Sequence, residues 1–72
     1  MKKYDENGTL IYQSGKGWKV WNDADGNLIH LKWSDGTERW CDYDADGNLI
    51  HEKWRDGTEH WFDDNGNVVR KI

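Results

Sequence analysis

The sequence predicts an all-β protein, an antiparallel β-meander of about seven or eight short strands, and three observations support this fold class. A unit of 21 residues recurs, because residues 22–42 and 43–63 agree at 16 positions. Asp-Gly or Asn-Gly turns recur about every ten residues, and glycine accepts positive φ there at no steric cost. Alternating apolar runs without proline separate these turns. The strands would form a strongly twisted single sheet or a small curled sheet.

The repeat divides one domain, residues 1–72, into hairpin units of about 21 residues. Residues 22–42 and 43–63 are the two clear units. Residues 4–21 form a degenerate first unit, and residues 64–72 form a partial last unit. The outer units lack two residues between the second Trp and the next turn glycine. A difference of two preserves the alternation of side chains between the faces of a strand.

The turn chemistry predicts the register of each hairpin. A two-residue loop in the hairpin of residues 33–40 would pair Leu31 with Trp40. A three-residue loop closed by a bulge would follow Asp42 and pair it with Ile50. We therefore expect two-residue and three-residue loops to alternate along the chain, which would keep the Trp and Ile side chains of consecutive hairpins on one face.

Tryptophan supplies most of the apolar bulk that a core would need. The shared face would carry, in the two clear units, Ile29, Leu31, Trp33 and Trp40, then Ile50, Trp54 and Trp61. We expect Trp33 to stack on Trp40, and Trp54 on Trp61, because 72 residues bury only about 60% of the unfolded surface and each ring can bury roughly 150–250 Å². A single-layer sheet would leave part of this aromatic face open to a partner.

Composition and charge indicate the cellular compartment and the class of partner. Cys41 is the only cysteine, so no internal disulfide forms, and a free thiol suits a reducing compartment. No apolar run has the length of a signal peptide or a membrane helix. We therefore expect a cytoplasmic protein without membrane contact. Residues 22–66 hold twelve acidic and four basic side chains, which argues against direct binding of nucleic acid and favours a partner protein with a basic surface.

Asp42, Asp44, Asp46 and Gly47 resemble the opening of a calcium-binding loop. The twelfth position of that loop should supply a bidentate glutamate, and here it is Lys53. Turn formation explains the three aspartates without an ion. We therefore expect no calcium site.

His30 and His51 occupy equivalent positions in the two clear units, on the strand side opposite the predicted Trp face. No cysteine or carboxylate stands at a spacing that would complete a tetrahedral zinc site around them. No nucleophile and base recur together either. We expect no metal, no cofactor and no catalytic activity.

The pattern of residues 35–37 (Asp-Gly-Thr), Trp40 and residues 43–50 (Tyr-Asp-Ala-Asp-Gly-Asn-Leu-Ile) resembles the tyrosine–aspartate (YD, or Rhs-type) repeat. This resemblance implies a β-hairpin sheet without catalysis. A weaker likeness, carried by Gly17-Trp18, is to the Trp- and Tyr-rich hairpin repeats of bacterial cell-wall-binding modules, and it implies binding of choline or sugars between aromatic rings.

These observations favour a non-enzymatic protein-interaction module, in particular a small acidic intracellular inhibitor of the antitoxin or phage anti-defence type that occludes a basic site. The alternatives are a carbohydrate- or choline-binding repeat and a structural repeat that self-assembles through its sheet edges into a homo-oligomer. The residues predicted to contact the partner are Asp42, Asp44, Glu52, Trp33, Trp40, Trp54 and Trp61.

Overall fold

A computed structural model describes residues 1–72 as one antiparallel sheet of eight strands in chain order, which confirms the predicted all-β meander. The strands are β1 (Lys2–Tyr4), β2 (Leu10–Gly15), β3 (Trp18–Asn22), β4 (Leu28–Trp33), β5 (Glu38–Tyr43), β6 (Leu49–Trp54), β7 (Glu59–Phe62) and β8 (Val68–Lys71). The chain forms no helix, and therefore no helical segment suited to crossing a membrane.

The sheet is a single layer. Its extents are 36 × 31 × 12 Å, and Cys41 is the only buried residue, with 3% of its surface exposed. The accessible surface is 5119 Å², compared with about 4,700 Å² for a compact protein of this mass. Because no second layer covers either face, contacts between neighbouring strands on both faces must stabilise the sheet in place of a central core.

Six of the seven hairpins share one loop geometry. In the hairpin between β5 and β6, the N–H of Asp44 donates to the carbonyl of Asn48 at 3.0 Å, and the N–H of Gly47 donates to the carbonyl of Asp44 at 3.1 Å. Gly47 has φ 83°, which favours glycine. The hairpin after Trp33 forms the same two bonds. The predicted alternation of two-residue and three-residue loops is therefore wrong.

A two-residue loop occurs only at Lys16-Gly17, where Gly15 pairs directly with Trp18. The indole of Trp18 lies over Gly15, and a Cβ added to this glycine would come within 2.4 Å of the ring. Glycine is required here because the tryptophan side chain occupies the space of any larger residue.

The three-residue loop after Trp33 and the bulge at Ile50 each change the predicted pairing. Trp40 lies opposite His30 and not Leu31, and Asp42 lies opposite His51 and not Ile50. A shift of one residue moves a side chain to the other face of the sheet. The prediction that all the Trp and Ile residues share one face is therefore wrong.

The feature that alternates along the chain is a bulge in the strands, and not the length of the loop. A register shift accompanies every second hairpin, starting with the first. In the third of these, Asp42 lies opposite His51 and Tyr43 opposite Leu49, so Ile50 has no partner on β5. By the same count, the extra residues of the four bulges are Ile11, Ile29, Ile50 and Val69. Each bulge adds twist at an equivalent place in its unit.

Candidate interaction surfaces

An aromatic row crosses one face of the sheet, here called the ladder face. Trp21 pairs across the strands with Tyr12 and His30, and His30 pairs with Trp40. The ring centroids of Trp21 and His30 are 4.5 Å apart, and those of His30 and Trp40 are 5.1 Å apart, with both pairs stacked. The row forms because the register places one ring of each strand beside the next.

The same face carries a second stack nearer the last strand. The His51 ring lies 4.8 Å from that of Trp61, and the guanidinium of Arg70 lies 4.8 Å from the centre of the Trp61 ring on the other side. Trp61 is therefore covered by one ring and one cation. The expected stacking of Trp33 on Trp40, and of Trp54 on Trp61, is wrong, since each of those pairs is split between the two faces.

Histidine on the ladder face bonds to carboxylates. His51 Nδ1 lies 2.8 Å from an oxygen of Asp42, and Nε2 lies 2.9 Å from an oxygen of Glu59. A carboxylate only accepts hydrogen bonds, so both contacts are satisfied when the imidazole carries two protons. The bond to Asp42, aided by the one to Glu59, raises the pKa of His51. His30 contacts one carboxylate, since its Nε2 lies 2.8 Å from an oxygen of Glu38.

The opposite face, here called the Cys41 face, holds a second charged cluster. Arg39 Nε donates to Glu52 at 2.9 Å, and His60 Nδ1 lies 2.8 Å from the other oxygen of Glu52. Burial alone would raise the pKa of Glu52, but the bonds from Arg39 and His60 outweigh it and hold that pKa below its usual range. The Arg39 guanidinium also lies 5.5 Å from the ring of Trp54. Burial raises the pKa of the Cys41 thiol.

Trp33 is the residue of the preceding unit that corresponds to Trp54. No arginine lies over its ring as Arg39 lies over that of Trp54. Trp18 stands at the position of Arg39, but its indole turns away onto Gly15. Trp33 is therefore 44% exposed and lines a shallow groove of about 190 Å³ beside Trp18.

Four turns at one end of the sheet form an acidic rim, comprising residues 5–9, 23–27, 44–48 and 63–67. They lie at the same end because successive loops of a meander alternate between the two ends. Each turn opens with an aspartate whose Oδ1 accepts the backbone N–H groups two and four positions later at 2.9 Å: Asp5, Asp23, Asp44 and Asp63. Turn geometry therefore accounts for these four carboxylates.

The rim has four further carboxylates that are exposed and form no ion pair: Glu6, Asp25, Asp46 and Asp64. Together the four turns contain eight acidic residues and no Lys or Arg. The eight strands contain eight basic and four acidic residues. Half of the twelve acidic residues in the middle of the chain thus lie at this one end of the sheet, and the strands themselves are net basic.

The residues predicted to contact a partner do not form one surface. Asp42 lies on the ladder face with Trp40 and Trp61, whereas Glu52 lies on the Cys41 face with Trp33 and Trp54. The reason is the one-residue shift in register described above.

Asp44, the remaining predicted contact residue, belongs to the rim. Its Oδ1 accepts the N–H groups of Asp46 and Asn48, and the bond from Asn48 is the main cause of its lowered pKa. No group of three or more His, Cys, Asp or Glu side chains is arranged to hold a metal ion together.

Comparison with known proteins finds a likeness to a repeat class other than the expected one. Residues 1–16 and 55–72 match the family model of the MORN repeat variant, so the two ends of the chain are similar to this β-hairpin repeat. The YD-type resemblance is therefore wrong, because the shared Asp-Gly turns and aromatic residues are common to more than one hairpin repeat. No curated protein matches the chain.

The sequence analysis did not predict the acidic rim or the contacts between histidines and carboxylates. The rim could have been found, because every second turn has an acidic or amide residue at fixed offsets before its glycine. The contact of His51 with Asp42 could not, because it depends on a register that the turn residues alone did not reveal.

Proposed function

We propose that this protein is a non-enzymatic interaction module that binds a basic surface of a partner protein through its acidic rim. The observation that supports the proposal is the set of eight carboxylates without a basic residue at one end of the sheet. A row of one charge sign attracts an oppositely charged surface and steers its approach.

The rim has a regular spacing that suits an extended basic site. Neighbouring strands lie about 4.8 Å apart, so consecutive rim turns are separated by about 10 Å. Four rim carboxylates are exposed and form no ion pair, so they are free to pair with cations of a partner: Glu6, Asp25, Asp46 and Asp64. In the proposal these four residues replace the predicted acidic contacts Asp42, Asp44 and Glu52.

Within this proposal the protein acts as an inhibitor by occlusion, in the manner of an antitoxin or a phage anti-defence protein. The sheet measures 36 × 31 × 12 Å, so a chain bound through its rim would place the whole sheet beside the basic site. A thin slab of this size could cover the mouth of a basic active site. The cytoplasm is the proposed compartment, since the free thiol of Cys41 suits a reducing environment.

A charge-matched pair of variants tests the rim. Asp25→Asn with Asp46→Asn removes two rim charges, and Asp35→Asn with Asp56→Asn removes two charges at the opposite end of the sheet. Asparagine keeps the side-chain oxygen that accepts the N–H of Thr37 or Thr58 in the second variant. Immobilised wild-type protein and the opposite-end variant should capture the same partner from native lysate, and the rim variant should lose it.

The captured partner should dissociate as salt is raised, because exposed charges are screened over about 8 Å at physiological ionic strength. Its activity should fall when the free chain is added. Equal capture by the rim variant would reject the rim as the binding surface, and an unchanged activity of the partner would reject inhibition.

A carbohydrate or choline-type ligand is a second candidate, because Trp33 is exposed beside Trp18 in a groove. Flat faces of sugars and quaternary ammonium groups both bind to exposed indoles. Tryptophan fluorescence titrated with choline and with oligosaccharides tests this function. A response that persists in Trp33→Ala would exclude the groove as its source.

Self-assembly through the sheet edges is a third candidate. Five of the large apolar residues with the greatest exposure belong to, or adjoin, the two edge strands: Met1, Tyr4, Val68, Val69 and Ile72. Both edges also carry lysine or arginine, which discourages pairing of one edge with another. Light scattering at several concentrations tests this function, and a strictly monomeric result would exclude it.

A further inference from the structure

A row of aliphatic side chains runs beside the acidic rim. Its members are the four bulge residues Ile11, Ile29, Ile50 and Val69, and it is called the aliphatic row below. Ile29, Ile50 and Val69 are 37%, 38% and 63% exposed, and Ile11 is half-buried. The four residues lie on the same face as one another because they occupy equivalent places in equivalent hairpins.

The aliphatic row and the rim are parallel and close together. Ile29 follows the rim turn that ends at Asn27, and Ile50 follows the turn that ends at Asn48. Two residues of a strand span about 7 Å. Each of these aliphatic residues therefore lies about 7 Å along its strand from the last residue of an acidic turn.

We infer that the aliphatic row and the rim together form a docking surface for a basic amphipathic helix of the partner, lying across the hairpins. This inference rests on the proposed function, since it names the kind of segment that the acidic rim would recruit. Apolar side chains of the helix contact the row, and its lysine or arginine side chains reach the rim.

Charge complementarity and spacing select this occupant. Equivalent positions of consecutive units are about 10 Å apart, which is twice the distance between neighbouring strands. Seven residues of an α-helix rise about 10.5 Å, so a helix with one apolar residue in each heptad presents its apolar groups at nearly the same interval. Basic residues on the adjoining side of the helix meet the carboxylates of the rim.

An extended β-strand does not fit this spacing. Three of its residues also span about 10 Å, but side chains three positions apart point to opposite faces. Polyproline II helix, with three residues per turn and about 9 Å per turn, matches the interval as well. We take the α-helix as the occupant, and the experiment compares the two.

The probe is a fluorescent peptide of four heptads, each with one leucine, three lysines and three alanines, and the leucines seven residues apart. Its control is an isomer of the same composition with the leucines scattered around the helix. Fluorescence anisotropy at two salt concentrations should show the wild-type protein binding the ordered peptide at least tenfold more tightly than its isomer. A proline-rich peptide with leucine at every third position and the same number of lysines is the third probe.

Two protein variants separate the row from the rim. Ile29→Thr with Ile50→Thr removes apolar surface but keeps β-branched residues in the strands, and should reduce binding of the ordered peptide at least tenfold while leaving the isomer unaffected. Asp25→Asn with Asp46→Asn should weaken both peptides and reduce the dependence of binding on salt. Circular dichroism confirms that each variant keeps its sheet.

Equal binding of the ordered peptide and its isomer by the wild-type protein would overturn the docking surface and leave the rim proposal standing. Tighter binding of the proline-rich probe would overturn the choice of an α-helix. If none of the three peptides bound at low salt, the docking surface and the recruitment of basic segments by the rim would both fall.

Discussion

Stability should depend on pH through His51, whose ring is held between two carboxylates on the ladder face. Replacing His51 with Gln keeps a polar side chain of similar reach but removes the titratable ring. Glu59 and the imidazole each have 22% of the side chain exposed, whereas Asp42 has 66% exposed. Solvent screens the contact with the exposed Asp42, so we expect the two contacts together to contribute only about 1 kcal/mol.

The direction in which stability changes with pH follows from the raised pKa of His51. Below about pH 6.5 the imidazole is protonated in the folded and the unfolded chain, and the stabilisation is fully present. As the pH rises through the higher folded-state pKa, the ring loses its proton and the stabilisation disappears. The wild type should therefore exceed His51→Gln in melting temperature by about 4–8 °C at pH 6, and by clearly less at pH 8.5.

Thermal unfolding followed by tryptophan fluorescence and by circular dichroism, at half-unit steps between pH 5.5 and 8.5, measures this difference. Comparing wild type with variant at each pH cancels the titration of all other groups. Asp42→Asn is the control that keeps the ring and removes one carboxylate, and it should reduce the dependence on pH without removing it. A difference between wild type and His51→Gln that is constant with pH, or that grows as pH rises, would refute the role given to the charged imidazole.

Two further substitutions test the packing of the Cys41 face. Gly15→Ala places a methyl group within 2.4 Å of the Trp18 indole, so it should cost about 1–3 kcal/mol in urea unfolding; a cost that persists in the Trp18→Ala background would show that the indole is not the cause. Arg39→Met keeps an unbranched apolar stem but leaves the half-buried carboxylate of Glu52 without its guanidinium, and we expect a loss of about 1–3 kcal/mol. The emission of Trp54 should change with it, and unaltered stability and emission would contradict the cluster.

The turn residues reveal much of the fold but not the register. Gly36 and Gly47 both follow aspartate, and both were sound signals of a hairpin. The Asp-Gly pair at residues 35–36 also suits a two-residue loop, and the choice between loop lengths depends on small differences in backbone geometry. Choosing the two-residue loop predicts the wrong face for Trp40, because an error of one residue in register changes the face of every side chain in the strand.

The interaction surface shows the same division. The acidic turns and the repeated isoleucines are readable in the sequence at equivalent positions of the units. Their placement side by side at one end of the sheet is not, because it requires the direction of every strand and the position of each bulge. Ile50 looks like an ordinary strand residue until its neighbours Asp42 and Tyr43 are seen to pair on either side of it.

The sequence by itself determined the class of this protein: a tandem hairpin repeat whose glycine turns and alternating residues permit little except an antiparallel meander. Backbone preferences at turns are local, so they can be read without the rest of the molecule. Only the tertiary structure decided that the sheet is a single layer, that Trp33 and Trp40 lie on opposite faces, and that carboxylates gather at one rim. Those outcomes depend on pairings between strands, and such pairings arise from the summed contacts of both faces, which no short stretch of sequence contains.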